Sequence, residues 1–400
     1  MSGIKGDNMG YVYVIPSVVE YAEKFKELGS LDFKIIRAMY RYGVRNISQI
    51  AKLIGVPQQT VSYRVKRFDE RDLVRFRALI SEEKLGLKSY LVVASTSLGM
   101  EELSSYSMTC FPLWRYLAIV DGWKHGNYVR YIIPPDKETD LKAFLDKLKD
   151  TGLILRYELY ETTSPYYPLL NLDFYTGREG APVFNWDKWI DDFDSFSEEK
   201  ISEPSFAKAK FDLYDLIILR CLEINARMKF REVAREIAKI LREENYGRFI
   251  PLVSRRFKNI VSQNLIRGYR VVVFPNLGPT VLFLIYYLKF TSASNLGRFL
   301  GGLSYLPYNF SYLKVLGKNE IFLHLVIPVY EYLNLRKAIS RLGELGYLKS
   351  AYVLIGDLSQ AWDNVKIYEM YKDGAWNFSY GVVLKMLKEA LARRNVNLEI

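Results

Sequence analysis

Apolar positions recur at helical spacing in two stretches that also share their polar residues. In the first, Gly55-Val-Pro-Gln-Gln-Thr-Val-Ser-Tyr-Arg-Val-Lys-Arg-Phe68, Val61, Val65 and Phe68 stand at i, i+4 and i+7, so one stripe of a helix turns inward. Pro57 falls in the first turn, where a missing N–H costs nothing. Gln59, Ser62, Tyr63 and Lys66 then lie outward, with Gln58, Arg64 and Arg67 beside them, and Leu73-Val-Arg75 opens a basic wing. This is the pattern of the turn and second helix of a helix-turn-helix. The second stretch, Gly247-Arg-Phe-Ile-Pro-Leu-Val-Ser-Arg-Arg-Phe-Lys258 with Leu265-Ile-Arg267, repeats it 192 residues later. Val61-Ser62, Arg64 and Lys66 recur as Val253-Ser254, Arg256 and Lys258. A repeated core stripe follows from fold alone. A repeat that also keeps Ser, Arg and Lys on the expected outer side points to a shared polar role.

The flanking pattern supplies the other helices. Leu31-Asp32 opens a first helix with Ile35, Ile36, Met39 and Tyr40 inward. Its counterpart opens at Phe211-Asp212, with Leu216, Ile217, Leu219 and Leu222 as the apolar set. The second helix is short in the first copy, 47–54, and runs over 230–244 in the second. The offset grows from 180 at Asp32/Asp212 to 192 at Gly55/Gly247, which predicts a twelve-residue insertion around the second copy's helix 2. A helix over 18–28 is expected to brace the first unit.

After each wing the pattern predicts strand, helix, strand, strand, helix, strand: 89–96, 100–108, 114–121, 127–134, 139–149 and 155–162, then 281–290, 293–303, 310–316, 320–328, 331–345 and 350–355. That order is the split-βαβ, ferredoxin-like motif. The third strands are apolar on both faces: Tyr128 and Ile132 flank Arg130 on one side, with Val129, Tyr131 and Ile133 on the other. A sheet with one wet face would alternate, so the two sheets are expected to pack face against face within the chain. The stretch 164–210, rich in Pro and Asp, reads as a linker and tail whose Tyr175 to Trp186 portion resembles Tyr371 to Phe378. The fold class is α+β: two copies of a winged helix-turn-helix plus a ferredoxin-like βαββαβ domain. The expected divisions are 1–80, 81–163, 164–210, 211–272, 273–357 and 358–400.

Charge sharpens this division. The 400 residues carry a net +11. Residues 31–80 hold 11 Lys/Arg against 4 Asp/Glu, and residues 211–272 hold 13 against 7, so the remainder sums to −2. Positive charge concentrated on two candidate readers favours a polyanionic partner. Cys110 and Cys221 are 111 residues apart with no ligand spacing, which gives neither a zinc site nor a disulfide framework. No apolar run is long enough to span a bilayer and the start has no signal core, so a cytoplasmic protein is expected, with no membrane partner.

A winged helix-turn-helix followed by βαββαβ resembles the Lrp/AsnC family of feast/famine regulators, and the resemblance points to an archaeal source. It rests on Leu31-Asp32, Ile50-Ala51 and Val61-Ser62-Tyr63-Arg64-Val65-Lys66-Arg67. It implies transcription regulation through double-stranded DNA, met by Gln58, Gln59, Thr60, Ser62, Tyr63, Arg64, Lys66 and Arg67, and by Ser254, Arg255, Arg256, Lys258 and Asn259. Arg75, Arg77, Arg267 and Arg270 are expected on or near the wings. Glutamine can pair with adenine and arginine with guanine, and the two copies differ there. Family members often bind amino acids, yet no stretch here matches an effector loop. A small-molecule effector, like a homodimer of the tandem chain, therefore stays open, and no cofactor or metal is implied.

Two other classes compete. Siroheme decarboxylases also resemble Lrp/AsnC proteins, and such a site would need cations for propionates and a placed His or Tyr. His125 lies in the loop Gly122-Trp-Lys-His-Gly126, while His324 takes the strand position of Arg130. A His in a turn is usually a solvated bystander and one on a strand a satisfied core residue, so the chain is expected not to be an enzyme. A scaffold that has lost DNA binding is the third class.

Overall fold

The structure, a computed structural model, describes residues 24–176, 182–201, 209–273, 275, 280–394 and 396. Most of the helix expected over 18–28 lies outside the described residues. At its end Phe25 stacks on Phe33 and meets Tyr175 edge-on.

Local capping chemistry delimits the first helix-turn-helix. Helix α1 (Ser30–Tyr42) begins where the Asp32 carboxylate reaches back to accept the Gly29 N–H at 2.9 Å. Asn46 caps α2 (Ile47–Ile54) by accepting the Gln49 N–H at 3.1 Å. Gly55 closes α2 at φ 68°, a left-handed conformation that glycine adopts without Cβ strain. Pro57 then leads into α3 (Gln58–Arg71), whose buried stripe is Val61, Val65 and Phe68. Strand β1 (Arg75–Ile80) follows.

The first βαββαβ run consists of β2 (Lys88–Ser95), α4 (Glu101–Met108), β3 (Trp114–Gly122), β4 (Gly126–Ile133), α5 (Glu138–Asp150) and β5 (Arg156–Thr162). A short helix α6 (Trp186–Asp191) lies in the tail. The second helix-turn-helix has α7 (Leu213–Ile224), α8 (Phe230–Leu241), α9 (Phe249–Ser262) and β6 (Ile266–Val272). The second run is β7 (Val281–Phe290), α10 (Ala293–Leu303), β8 (Asn309–Lys314), β9 (Glu320–Pro328), α11 (Tyr332–Glu344) and β10 (Leu348–Asp363), followed by α12 (Tyr380–Ala392).

The insertion is smaller than the sequence offset suggests. Asp215, not Asp212, occupies the position of Asp32, since its carboxylate accepts the N–H of the N-cap residue Asp212 at 3.1 Å. The offset there is 183, the same as between Ile47 and Phe230, so nine extra residues, not twelve, precede Gly247. Helix α8 supplies part of them with twelve residues against eight in α2, and it stops at Leu241, where Arg242 turns left-handed at φ 56°.

The sheets do not remain two separate layers. All the βαββαβ strands join one eight-stranded antiparallel sheet in the order β5-β2-β4-β3-β10-β7-β9-β8. The long β10 makes the join. It pairs with β7 up to Gly356 and with β3 on both sides of an irregularity between Gly356 and Ala361. At the other end the chain beyond β5 bonds to β8, through Thr163 N–H to Lys314 O at 2.9 Å and Tyr166 N–H to Tyr312 O at 2.9 Å. The sheet thus closes into a barrel, which removes its free edges. The expected face-to-face contact survives across the interior. Strands β4 and β9 are four places apart in the ring, and Tyr128 Oη meets His324 Nε2 at 2.8 Å. Sequence periodicity shows that both faces are covered but not that the edges also meet.

The two wing strands pair with each other. Strand β1 pairs with β6 of the other unit, with Arg77 opposite Arg270, in a two-stranded ribbon. Val74 and Phe76 are buried along it, so the apolar residues expected in a wing cover the joint between halves instead.

The tails cross over. Helix α6 packs on α11 of the second run, with Trp186 Nε1–H donating to Glu331 at 2.7 Å and Trp189 Nε1–H donating to Gly302 O at 2.9 Å. Helix α12 packs on α4 and α5 of the first run. The crossing at Gly301 leaves no room, since an added Cβ would lie 2.1 Å from Ser197 O. Gly301→Ala should cost about 1–3 kcal/mol in chemical denaturation and make the 186–197 segment open to limited proteolysis. An unchanged midpoint and cleavage pattern would show that the tail is not tightly seated.

Candidate nucleic-acid interface

Burying one stripe of α3 leaves Gln58, Gln59, Ser62, Tyr63 and Lys66 exposed, Tyr63 to 66%. Thr60 is half-buried beside them. Along α9, Val253 and Ile260 are buried while Arg255, Lys258 and Asn259 are exposed and Ser254 is half-buried. Both helices therefore present amide, hydroxyl and cationic groups, the types that bond base edges and phosphates.

The arginines beside the exposed face of each helix turn elsewhere. Arg64 and Arg67 reach the fully buried Asp32 at 3.2 and 3.0 Å. Arg256 does the same in the second unit, meeting Asp212 at 2.6 Å and Asp215 at 3.1 Å. These pairs tie each recognition helix to the first turn of its helix 1, so part of the repeated polar signal is structural. Arg67→Ala should lower unfolding free energy by about 1–3 kcal/mol, because Asp32 then keeps only one of its two arginine partners. A drop in duplex binding with unchanged stability would place Arg67 on the outer face instead.

The two units are fixed to each other. Arg45 donates to Met228 O at 2.8 Å, and Arg227 donates to Val44 O at 2.6 Å. Arg227 also pairs with Asp69 of α3 at 3.1 Å. Arg45 sits over the rings of Phe230 and Phe257, 4.9 and 5.0 Å from their centroids. The spacing of the two recognition helices thus rests on contacts that each first turn makes with the other.

The four wing arginines converge on a cleft between the ribbon and one mouth of the barrel. Arg75 is forked onto Asp72. Arg77 donates to Glu223 O at 2.6 Å and pairs with Asp363 at 3.0 Å. Arg267 bonds to Pro165 O and lies over Tyr166. Arg270 stacks on Tyr167 at 4.3 Å. Beneath them lies a buried charge network that the sequence did not reveal. Arg130 forks both oxygens of Glu82 at 2.7 and 2.9 Å, and Arg115 is paired with Glu223 and reaches Glu82 at 3.5 Å. Burial alone would raise the Glu82 carboxyl, yet Arg130 and Arg115 bring it down to about 2. These residues come from α7, β3, β4 and the turn after β1, and no local spacing links them.

The two histidines differ in kind. Burial, with Arg270 and Arg130 near, lowers His324 to about 3, so its ring is neutral between Ser311 and Tyr128. His125 is raised by its bonds to Glu101 and Asp121 and lies near the surface. Among the described residues no group of His, Cys, Asp and Glu could hold a metal ion, and no helix is long and apolar enough to cross a membrane. Both cysteines are buried and free.

Comparison with known proteins bears on the first reader. Residues 28–75 match the winged helix-turn-helix DNA-binding family. An uncharacterized HTH-type transcriptional regulator of Pyrococcus furiosus is 38% identical over 68 residues, 17% of this chain. The match spans 46% of that relative, under half its length. Among solved structures, the siroheme decarboxylase NirDL is similar over 93% of this chain and 99% of its own, at 12% identity and a TM-score of 0.45. An AsnC family transcriptional regulator from Agrobacterium tumefaciens aligns over 37% of this chain and 99% of its own, at 21% identity and a TM-score of 0.31. Residues 28–75 thus form a winged helix-turn-helix of the DNA-binding kind, and the chain joins it to an antiparallel α+β barrel.

Proposed function

We propose that the chain is a sequence-specific, double-stranded DNA-binding regulator of transcription that presents two unlike readers in one polypeptide. The observation that carries this is the pair of exposed faces, Gln58/Gln59/Ser62/Tyr63/Lys66 on α3 and Arg255/Lys258/Asn259 on α9. The Arg45 and Arg227 contacts hold both in one frame. Arg64, Arg67 and Arg256 act in this reading as braces behind the readers, and the wing arginines serve the cleft. One chain then carries what a dimeric regulator divides between two, so duplex binding does not require a second copy. A labelled random duplex titrated between about 50 and 200 mM salt tests this: affinity should fall linearly on logarithmic axes as released counterions accumulate. Absent or salt-insensitive binding would contradict it.

One observation favours a second reading, chemistry on an anionic substrate as in a siroheme decarboxylase. Arg75, Arg77, Arg130 and Arg270 line the same cavity as Tyr128 and His324. Against it, both His324 ring nitrogens already face hydroxyls. Saturable binding of a tetrapyrrole with a shifted absorbance band would favour the enzyme, and its absence would favour the regulator.

A further inference from the structure

The cleft between ribbon and barrel contains a cavity of about 150 Å³, cationic on the ribbon side and apolar toward Phe283, Val326 and Leu358. Of the cations that line it, Arg75 is forked by Asp72, Arg130 by Glu82, and Arg77 is held by Asp363 and Glu223 O. Arg270 differs. Its guanidinium carbon lies over the Tyr167 ring, 4.3 Å from the centroid, and the group has no ion pair among the described residues. An arginine offers five N–H donors in a fixed fork that matches a carboxylate. Among the described residues Asp363 is the one carboxylate on the cavity wall, and Arg77 already holds it at 3.0 Å. An ammonium group would therefore enter among cations with no uncommitted acid to meet it. The size is also restrictive, because a cavity near 150 Å³ is of the order that accepts a single benzene ring.

We infer that this cavity is a binding site for a small organic acid with a ring-sized apolar body and no ammonium group, its carboxylate held by Arg270. The apolar wall takes the body, and Tyr167 keeps the guanidinium plane in position. This goes beyond the DNA reading and does not depend on it. If that reading holds as well, the site has a route to the readers, since Arg270 and Arg77 face each other on the strands that follow α9 and α3. A ligand favouring one ribbon geometry would then change duplex affinity, and duplex would change ligand affinity by the same factor.

The test is calorimetric titration of the full chain, without DNA, with phenylpyruvate, L-phenylalanine and inorganic sulfate as separate probes. The inference predicts saturable one-to-one binding of phenylpyruvate, at least roughly tenfold tighter than either comparator, in line with one lost charge-assisted pair. Arg270→Gln should weaken it at least about tenfold, with Arg270→Lys in between, since lysine keeps charge but not the fork. Should Arg270→Gln fail to fold, Val326→Phe, which fills the cavity from the barrel side, should abolish binding instead. No binding of phenylpyruvate, equal binding in Arg270→Gln or in a folded Val326→Phe, or a preference for L-phenylalanine would overturn the inference. Equal binding of sulfate would reduce the site to an adventitious ion only. A duplex titration with and without phenylpyruvate then reads the coupling separately, so failure of the DNA reading leaves the binding result standing.

Discussion

Glu82→Ala should destabilise the chain by about 3–5 kcal/mol, the usual result of stripping one partner from a buried charged pair. The Glu82 side chain is 5% exposed and accepts from Arg130 through both oxygens, with Ser164 at 2.8 Å and Arg115 nearby. Removing it leaves two guanidinium groups, each under 10% exposed, with less counter-charge between the ribbon and the barrel. Urea unfolding should show a lower midpoint at unchanged slope. The same carboxylate sets an acid limit. Its folded pKa of about 2 lies below the ordinary 4.5, so its contribution is complete above roughly pH 4.5 and is lost as pH falls toward 2. Burial raises Glu223 despite Arg115, so that group has the opposite sign and acts above its ordinary 4.5, outside the window in which Glu82 titrates. The variant should lack the Glu82 part of that slope. A loss under about 1 kcal/mol would mean that water reaches the network and screens it.

Neutralising Lys66, Arg255 and Lys258 together should have the largest effect on duplex binding at little cost in stability. All three are exposed, and Lys66 makes only a surface pair with Glu70 at 3.4 Å. If each meets a phosphate, the slope of log affinity against log salt should fall by about 2.7, at roughly 0.9 per contact. Melting temperature should hardly move. The contrast with Arg64, Arg67 and Arg256, where stability should fall first, separates readers from braces. Unchanged affinity and slope in the triple variant would remove α3 and α9 from the interface.

Much of this architecture was legible because helix stripes and strand alternation are local. Val61, Val65 and Phe68 announced α3, and the apolar faces around Tyr128 and His324 announced strands covered on both sides. What stayed hidden depends on partners distant in sequence. The pattern around Arg64 fits an outward cation as well as one bent back to Asp32, 32 residues away. A basic strand such as Arg75–Ile80 fits a hairpin wing as well as a ribbon with Ile266–Val272. The buried network joins Glu82, Arg115, Arg130 and Glu223, which only the closed barrel and the ribbon bring together. The helix 1 offset failed for a simpler reason: Asp212 and Asp215 both fit the first turn, and only the cap geometry identifies Asp215 as the partner of Asp32.

If one chain carries two different readers on one fixed frame, its preferred site should lack two-fold symmetry. Selection from random duplex DNA, with the chain at concentrations where it is monomeric, tests this directly. The expected product is an asymmetric site in a single orientation. One half-site should carry adenine contacts matching Gln58 or Gln59 and the other a guanine contact matching Arg255, their centres about one helical turn or a multiple apart. Recovery of a perfect palindrome would contradict it, and would mean that two chains each contribute the same one of their two helices.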